Sequence, residues 1–142
     1  MNLEATLQWY DLVVQLAPGI EPATILAMIW IESRGDSEAF NAGSQATGLM
    51  QIMPYEAGAI FADRPTIEEL KDARTNILWG IEVLKYSLHR GDGGLYEALY
   101  LYSGGAAWKS PQDFIQKYWK PFLKVRRRIK AELRKREPNG RL

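Results

Sequence analysis

Apolar positions along this chain recur at spacings of three and four, the rhythm of helical faces. Leu3, Leu7, Tyr10 and Val14 follow it, so residues 3–16 read as one helix that Ala17-Pro18-Gly19 breaks. Pro22 suits the first turn of the next helix, which runs to Glu32 or just beyond. On it Ile25, Ile29 and Glu32 share a face, and Gly35 suits a stop. From Asn41 to Gly48 the residues are small and polar, as in a loop. Leu49 to Met53 is apolar around one amide, Gln51, and Pro54 ends it. A short helix is expected from Tyr55 to Ala62. Thr66 with Glu69 forms a capping box. Ile77, Ile81, Leu84 and Leu88 stripe a helix from Thr75 to His89, which Gly91 can cap, and Leu95 to Tyr102 fits another. Ser110-Pro111 with Asp113 starts a further helix. Pro121 predicts a kink or a new helix, after which Phe122, Val125, Ile129 and Leu133 mark the inner face of a basic helix. No segment alternates with period two, and no internal repeat is visible. The expected class is mainly α.

Composition changes this picture little. The 142 residues suit one domain, 1–142, with a real core. The absence of cysteine excludes disulfides and thiol nucleophiles. No run approaches the roughly 18 apolar residues of a membrane span. The first residues, Met1-Asn2-Leu3-Glu4-Ala5, lack the basic start and apolar block of a signal peptide. Charge is more informative. The net +1 conceals a body, residues 1–119, with eight basic and fifteen acidic side chains, and a tail, residues 120–142, with ten basic and two acidic ones. A basic helical tail on an acidic body reads as a solvated helix face or as an interaction tail. Its candidate partners are an anionic wall polymer or membrane surface, with nucleic acid the less favoured reading.

The chemistry concentrates at Glu32. A carboxyl at the end of an apolar face is pushed toward its neutral form, because low dielectric disfavours the charge. A carboxylic acid still protonated near neutral pH is what a general acid needs. The plain alternative is a helix-end carboxylate held by backbone or an arginine. Glycosidic cleavage commonly uses two carboxylates, and Asp36, Glu38 and Asp63 are the nearest candidates for a second. His89 is the only histidine and reads as a surface residue. No acidic or histidine cluster has metal-ligand spacing, and no phosphate loop or dinucleotide fingerprint occurs, so no metal or cofactor is expected.

Glu32-Ser33, followed by Gly48-Leu49-Met50-Gln51-Ile52-Met53-Pro54, resembles the lytic transglycosylases of the soluble type, which share a fold with goose-type lysozyme. Asn76-Ile77 with Gly80 and Leu84 is similar to that family's N-I-x-x-G-x-x-x-L helix. Ala98 to Gly105 is similar to its A-x-x-x-Y-N-x-G segment, with Ser103 where many members have Asn. The resemblance runs from about Pro22 to about Tyr118.

The resemblance implies a lysozyme-like helical domain with a small irregular or β-like stretch near the Gly-rich loop. It also implies a peptidoglycan-cleaving enzyme acting at the bond between N-acetylmuramic acid and N-acetylglucosamine. There Glu32 alone serves as acid and then base, closing a 1,6-anhydro ring. Ser33, Gly48, Met50, Gln51, Tyr102, Ser103 and Tyr118 are the implied substrate-side residues, with a back-bond to the helix end the alternative for Ser33 and core packing the alternative for Met50 and Tyr118. Tyr102 matches the family tyrosine whose hydroxyl reaches the catalytic Glu, and Tyr118 a late aromatic of the closing helix. Trp108 is the best sugar-stacking candidate, whereas Trp30 and Trp79 read as core. The expected partner is the glycan strand, met by a monomer. Small size and the missing leader fit a phage lysis or virion enzyme, a domain cut from one, or a bacterial secretion-associated enzyme. The rivals are a lysozyme on the same scaffold, which uses water as acceptor, and a non-catalytic module binding wall or nucleic acid through the tail.

Overall fold

The helix that carries Glu32 runs through the middle of the molecule. A computed structural model describes residues 1–136, so the last six residues of the expected basic tail lie outside the described residues. The central helix, α3 (Pro22–Ser33), has Pro22 in its first turn, where a missing N–H costs nothing. Every residue from Ala23 to Ile29 is buried. A helix that is apolar all round is a core helix. The single face expected for Ile25 and Ile29 is therefore one part of an entirely enclosed surface. The helix stops because Arg34 and Gly35 both adopt left-handed backbone, with φ of 56° and 85°.

Around α3 pack α1 (Glu4–Leu7), α2 (Tyr10–Leu16) and α9 (Lys120–Arg136). The single helix expected over residues 3–16 is two. The break at Gln8-Trp9 lets the Trp9 indole N–H donate to the Gly35 carbonyl at 3.0 Å. It also shifts the helical phase, so Val13 is fully buried and Val14 is 44% exposed. The break adds no Gly or Pro to the sequence, which is why periodicity alone runs straight through it.

The second group of helices follows the expected order: α4 (Pro54–Ile60), α5 (Ile67–Leu70), α6 (Ala73–Arg90), α7 (Leu95–Ser103) and α8 (Pro111–Phe114). Thr66 and Glu69 form the reciprocal capping box. Asp72 caps α6 through Thr75 N–H, and Ser110 caps α8 through Asp113 N–H. The long α6 lies against α7, burying Ile77, Ile81 and Leu84. Each of α1 to α9, among the described residues, contributes to one apolar cluster.

The segment between α3 and α4 has no strand, only isolated antiparallel bridges of Thr47 with Phe40 and with Ile52. This is the irregular, β-like stretch expected near the Gly-rich loop. Before α9 the chain takes a π turn, Ile115–Trp119. Pro121 has no N–H to give and its ring excludes the carbonyl four residues earlier, so a regular α ladder cannot pass through this point. Helix α9 then runs antiparallel to α3. Tyr118, just before its start, meets Glu32, while Lys130 pairs with Glu21 at the other end of α3 at 3.0 Å.

Candidate active site

Glu32 sits in the last turn of α3 and is only part-exposed. Its Oε2 accepts a hydrogen bond of 2.6 Å from the Tyr118 hydroxyl. Burial raises the Glu32 pKa from the ordinary 4.5 to about 7, against the opposing pull of the Tyr118 donor. Tyr118 is 5% exposed, its ring stacked on Phe114 at 5.8 Å between centroids. Burial and the nearby Glu32 charge hold both Tyr118 and Tyr102 well above the ordinary phenol range, so both are neutral donors. The site is thus one carboxyl, poised near neutrality, between two uncharged tyrosines.

The hydroxyl that reaches Glu32 is that of Tyr118, expected only as a late aromatic of the closing helix, and not that of Tyr102. The Tyr102 hydroxyl donates to the Met50 carbonyl at 2.7 Å. Tyr118 makes the bond to Glu32. Tyr102 belongs to α7, whose packing on α6 aims the ring at the Met-Gln segment. Tyr118 lies in the π turn that leads into α9, the helix that lies along α3.

The Gly48–Gln51 loop beneath the site is held by Asn76, a fully buried amide of α6. Its Oδ1 accepts from Met50 N–H at 2.7 Å, and its Nδ2 donates to the carbonyls of Thr47 and Leu70 at 2.7 and 2.8 Å. Gly48 stands at φ 79°, and a Cβ there would collide with the Asn76 side chain and the Leu70 carbonyl. Gly80, on the same helix, leaves room for the Met50 thioether, which a Cβ would strike. Met50 is fully buried. Its side chain is therefore core, a correction to its expected place in the substrate groove, and only its backbone faces the site through Tyr102.

Ser33 and Gln51 are also occupied with the fold. Ser33 Oγ lies 2.8 Å from the Leu49 carbonyl and 3.1 Å from that of Ile29, and it accepts from Gly35 N–H. It ties the end of α3 to the Gly-rich segment rather than presenting a free hydroxyl. Gln51, with left-handed backbone at φ 52°, donates its amide N–H groups to the carbonyls of Ala39 and Gly48. Ser103 Oγ accepts from the Trp108 indole N–H at 2.9 Å. Trp108 packs edge-on against Phe114, which leaves it part of an aromatic cluster with Tyr100 and Tyr118.

Two adjoining depressions, both bordered by Glu56, Ile60, Val83 and Tyr102, form a groove that starts at Gln51–Met53 and reaches Arg90 and Gly104–Ala106. Glu32 lines neither depression; Tyr102, which borders both, is near enough for the Glu32 charge to help raise its pKa. Asp36, Glu38 and Asp63 are exposed loop residues. Asp36 and Asp63 accept from the backbone N–H groups of Glu38 and Arg64, and none of the three bonds to Glu32. His89 is exposed. Among the described residues no three His, Asp or Glu side chains are grouped to hold a metal ion. No described helix is long and apolar enough to cross a membrane.

The sequence places Asn76 in the family's helix motif without giving its role, and it assigns the contact with Glu32 to Tyr102 in place of Tyr118. A buried amide inside an apolar helical stripe was the available signal for Asn76, since such a group needs partners.

Residues 13–120 match the profile of the transglycosylase SLT domain. Over 94 residues the chain is 33% identical to the membrane-bound lytic murein transglycosylase E of Buchnera aphidicola, covering 60% of this chain and 42% of that protein. The fold is similar to that of the 70 kDa soluble lytic transglycosylase of Escherichia coli, with a TM-score of 0.63 and 21% identity over 84% of this chain and 21% of the other. The chain thus spans less than half the length of either relative. With Glu32, the Gly-rich loop and the α6 and α7 motifs all inside the matched segment, the chain belongs to the transglycosylase SLT domain family.

Proposed function

We propose that this chain is a peptidoglycan lytic transglycosylase that cleaves the β-1,4 bond between N-acetylmuramic acid and N-acetylglucosamine, with Glu32 as acid and then base. The observation that carries the reading is the Glu32 carboxyl with a pKa near 7, hydrogen-bonded through one oxygen by Tyr118 and near Tyr102, which borders the groove. With Oε2 engaged by a donor, the acidic proton resides on Oε1, free to pass to the bridging oxygen. As that proton transfers, the C1–oxygen bond breaks, and the substrate's N-acetyl carbonyl oxygen stabilises the positive charge at C1. The Glu32 carboxylate then takes the proton of the 6-hydroxyl as O6 attacks C1, closing the 1,6-anhydro ring. A pKa close to ambient pH serves both steps. The 6-hydroxyl competes with water, so burial of the acid between Tyr102 and Tyr118 favours the intramolecular acceptor.

Within this reading the groove from Gln51 past Tyr102 to Gly104–Ala106 holds the glycan. Ser33, Gly48 and Met50 act from behind, by fixing the loop that forms its floor. Ser103 acts through Trp108, whose indole it anchors.

The test is digestion of purified peptidoglycan followed by mass spectrometry of the products. Ends carrying the 1,6-anhydro sugar are expected. Reducing ends, heavier by one water, would assign a lysozyme instead. Glu32→Gln, folded as judged by circular dichroism, is expected to lose nearly all cleavage. Retained turnover in that variant would overturn the assignment of Glu32.

A further inference from the structure

The outward face of α9 carries a function that the Glu32 site does not use. At 100° per residue, its inward stripe is Phe122, Val125, Ile129 and Leu133, all buried. Its outward sector is Lys120, Lys124, Arg127, Arg128, Ala131, Arg134 and Lys135, all exposed. That sector holds six cations and no carboxylate, over roughly 22 Å of helix. The flanking charges are fixed to the body: Lys130 to Glu21 at 3.0 Å and Arg136 to Glu4 at 2.7 Å. Only Lys135 of the outward six has an acidic partner among the described residues, Glu132 at 3.8 Å.

We infer that this ridge docks the protein on an anionic phospholipid surface. Side chains as long as Lys and Arg, spread over about 120° of a straight helix, reach one tangent plane together, so a flat array of headgroups engages all six. The apolar stripe is committed to the core. The helix therefore adsorbs by charge and does not insert. A pocket at the edge of the ridge, lined by Tyr10, Pro22, Ala23 and Leu133, with the paired Glu21 and Lys130 on its wall and Arg134 at its rim, favours lipid over a purely ionic polymer. It offers an apolar seat beside a cation, which fits a headgroup and the start of its acyl chains. The acidic body repels the same surface, so the molecule docks ridge first. Because Lys120 lies two residues beyond Tyr118, docking brings the Glu32 end of α3 close to the headgroups.

The inference does not depend on the chemistry at Glu32, and its test separates the two. The full chain is mixed with vesicles of phosphatidylcholine alone, or with roughly one third phosphatidylglycerol, and sedimented. Binding is expected only to the phosphatidylglycerol vesicles and only at low ionic strength, with loss as salt shortens the screening length. The triple variant Lys124→Glu, Arg127→Glu, Arg128→Glu, checked for fold by circular dichroism, is expected to bind about 100-fold more weakly or worse. Glu32→Gln is expected to bind like the parent chain, whatever its activity. Equal binding to both vesicle types, binding indifferent to salt, or full binding by the triple variant would overturn the proposal. So would capture by inorganic polyphosphate with no affinity for the anionic vesicles, which would assign the ridge to a linear polyanion.

Discussion

The hydrogen bond from Tyr118 to Glu32 is the contact on which the acid's protonation turns. A donor on a carboxylate oxygen favours the ionised form, so it restrains a pKa that burial drives upward. With Glu32 as the acid, activity falls as pH rises through about 7, where the proton is lost. Tyr118→Phe removes the restraint and leaves the burial. The alkaline limb of the pH–rate profile is then expected to move upward by about one unit, the scale of a charge-assisted hydrogen bond. An unmoved limb would mean that Tyr118 packs beside Glu32 without governing it. Much of this site was legible in the sequence, because Glu32 terminates an apolar run and Gly48 to Pro54 follow at the family's spacing. Which tyrosine bonds to Glu32 was not. Both hydroxyls belong to enclosed rings near the site, and Pro121 predicts a kink before α9 without fixing the π turn that aims Tyr118 at Glu32. The buried side chain of Met50 was equally illegible, since its place depends on the missing Cβ of Gly80 thirty residues away.

At the scale of elements, a polar loop is held on the body by one helix. Residues 41–53 have isolated bridges in place of a ladder, and three of their backbone and neighbouring polar groups are satisfied by Asn76. Asn76→Ala strands Met50 N–H and the carbonyls of Thr47 and Leu70 in a buried setting. A loss of roughly 3 kcal/mol is expected, read as a lower urea midpoint with an unchanged slope. Asn76→Asp keeps the acceptor but not the donors and is expected to recover only part of the loss. Helices with strong stripes or caps, such as α6 with Ile77, Ile81 and Leu84 and α5 with Thr66–Glu69, were legible from local chemistry alone, although the Asp72 cap that starts α6 before Thr75 was not. The split of α1 from α2 was not, because it is enforced by a distant partner, the Gly35 carbonyl that receives the Trp9 indole. Helix α3 was legible as a helix and misread as one-sided. How completely a helix is enclosed depends on what the rest of the chain lays over it.

For the molecule as a whole, enclosing Glu32 has a thermodynamic sign. The carboxyl titrates near 4.5 when unfolded and near 7 in the fold, so the folded state binds this proton more tightly. Its contribution is most favourable below the unfolded value and becomes a penalty as pH rises through the folded one. The full penalty is roughly 3 kcal/mol. Glu32→Gln has no such titration. Its stability relative to the parent chain is expected to improve by roughly 2–3 kcal/mol between about pH 4 and about pH 8, measured by urea unfolding at both. A constant gap across that range would mean that Glu32 is better solvated than its surroundings imply. The same enclosure that costs stability at neutral pH is what keeps the acid charged with a proton there.

The Tyr118–Glu32 contact joins residues 86 positions apart, and this order along the chain has a consequence during synthesis. Glu32 leaves the ribosome well before the π turn and α9 that enclose it. Until they dock, the carboxyl stands at the open end of an unfinished core, where it ionises like any exposed glutamate and has no proton to give at neutral pH. With Glu32 as the proposed acid, a chain made only as far as α8 is chemically silent. The acid is armed only when translation has passed α9 and that helix has folded back along α3.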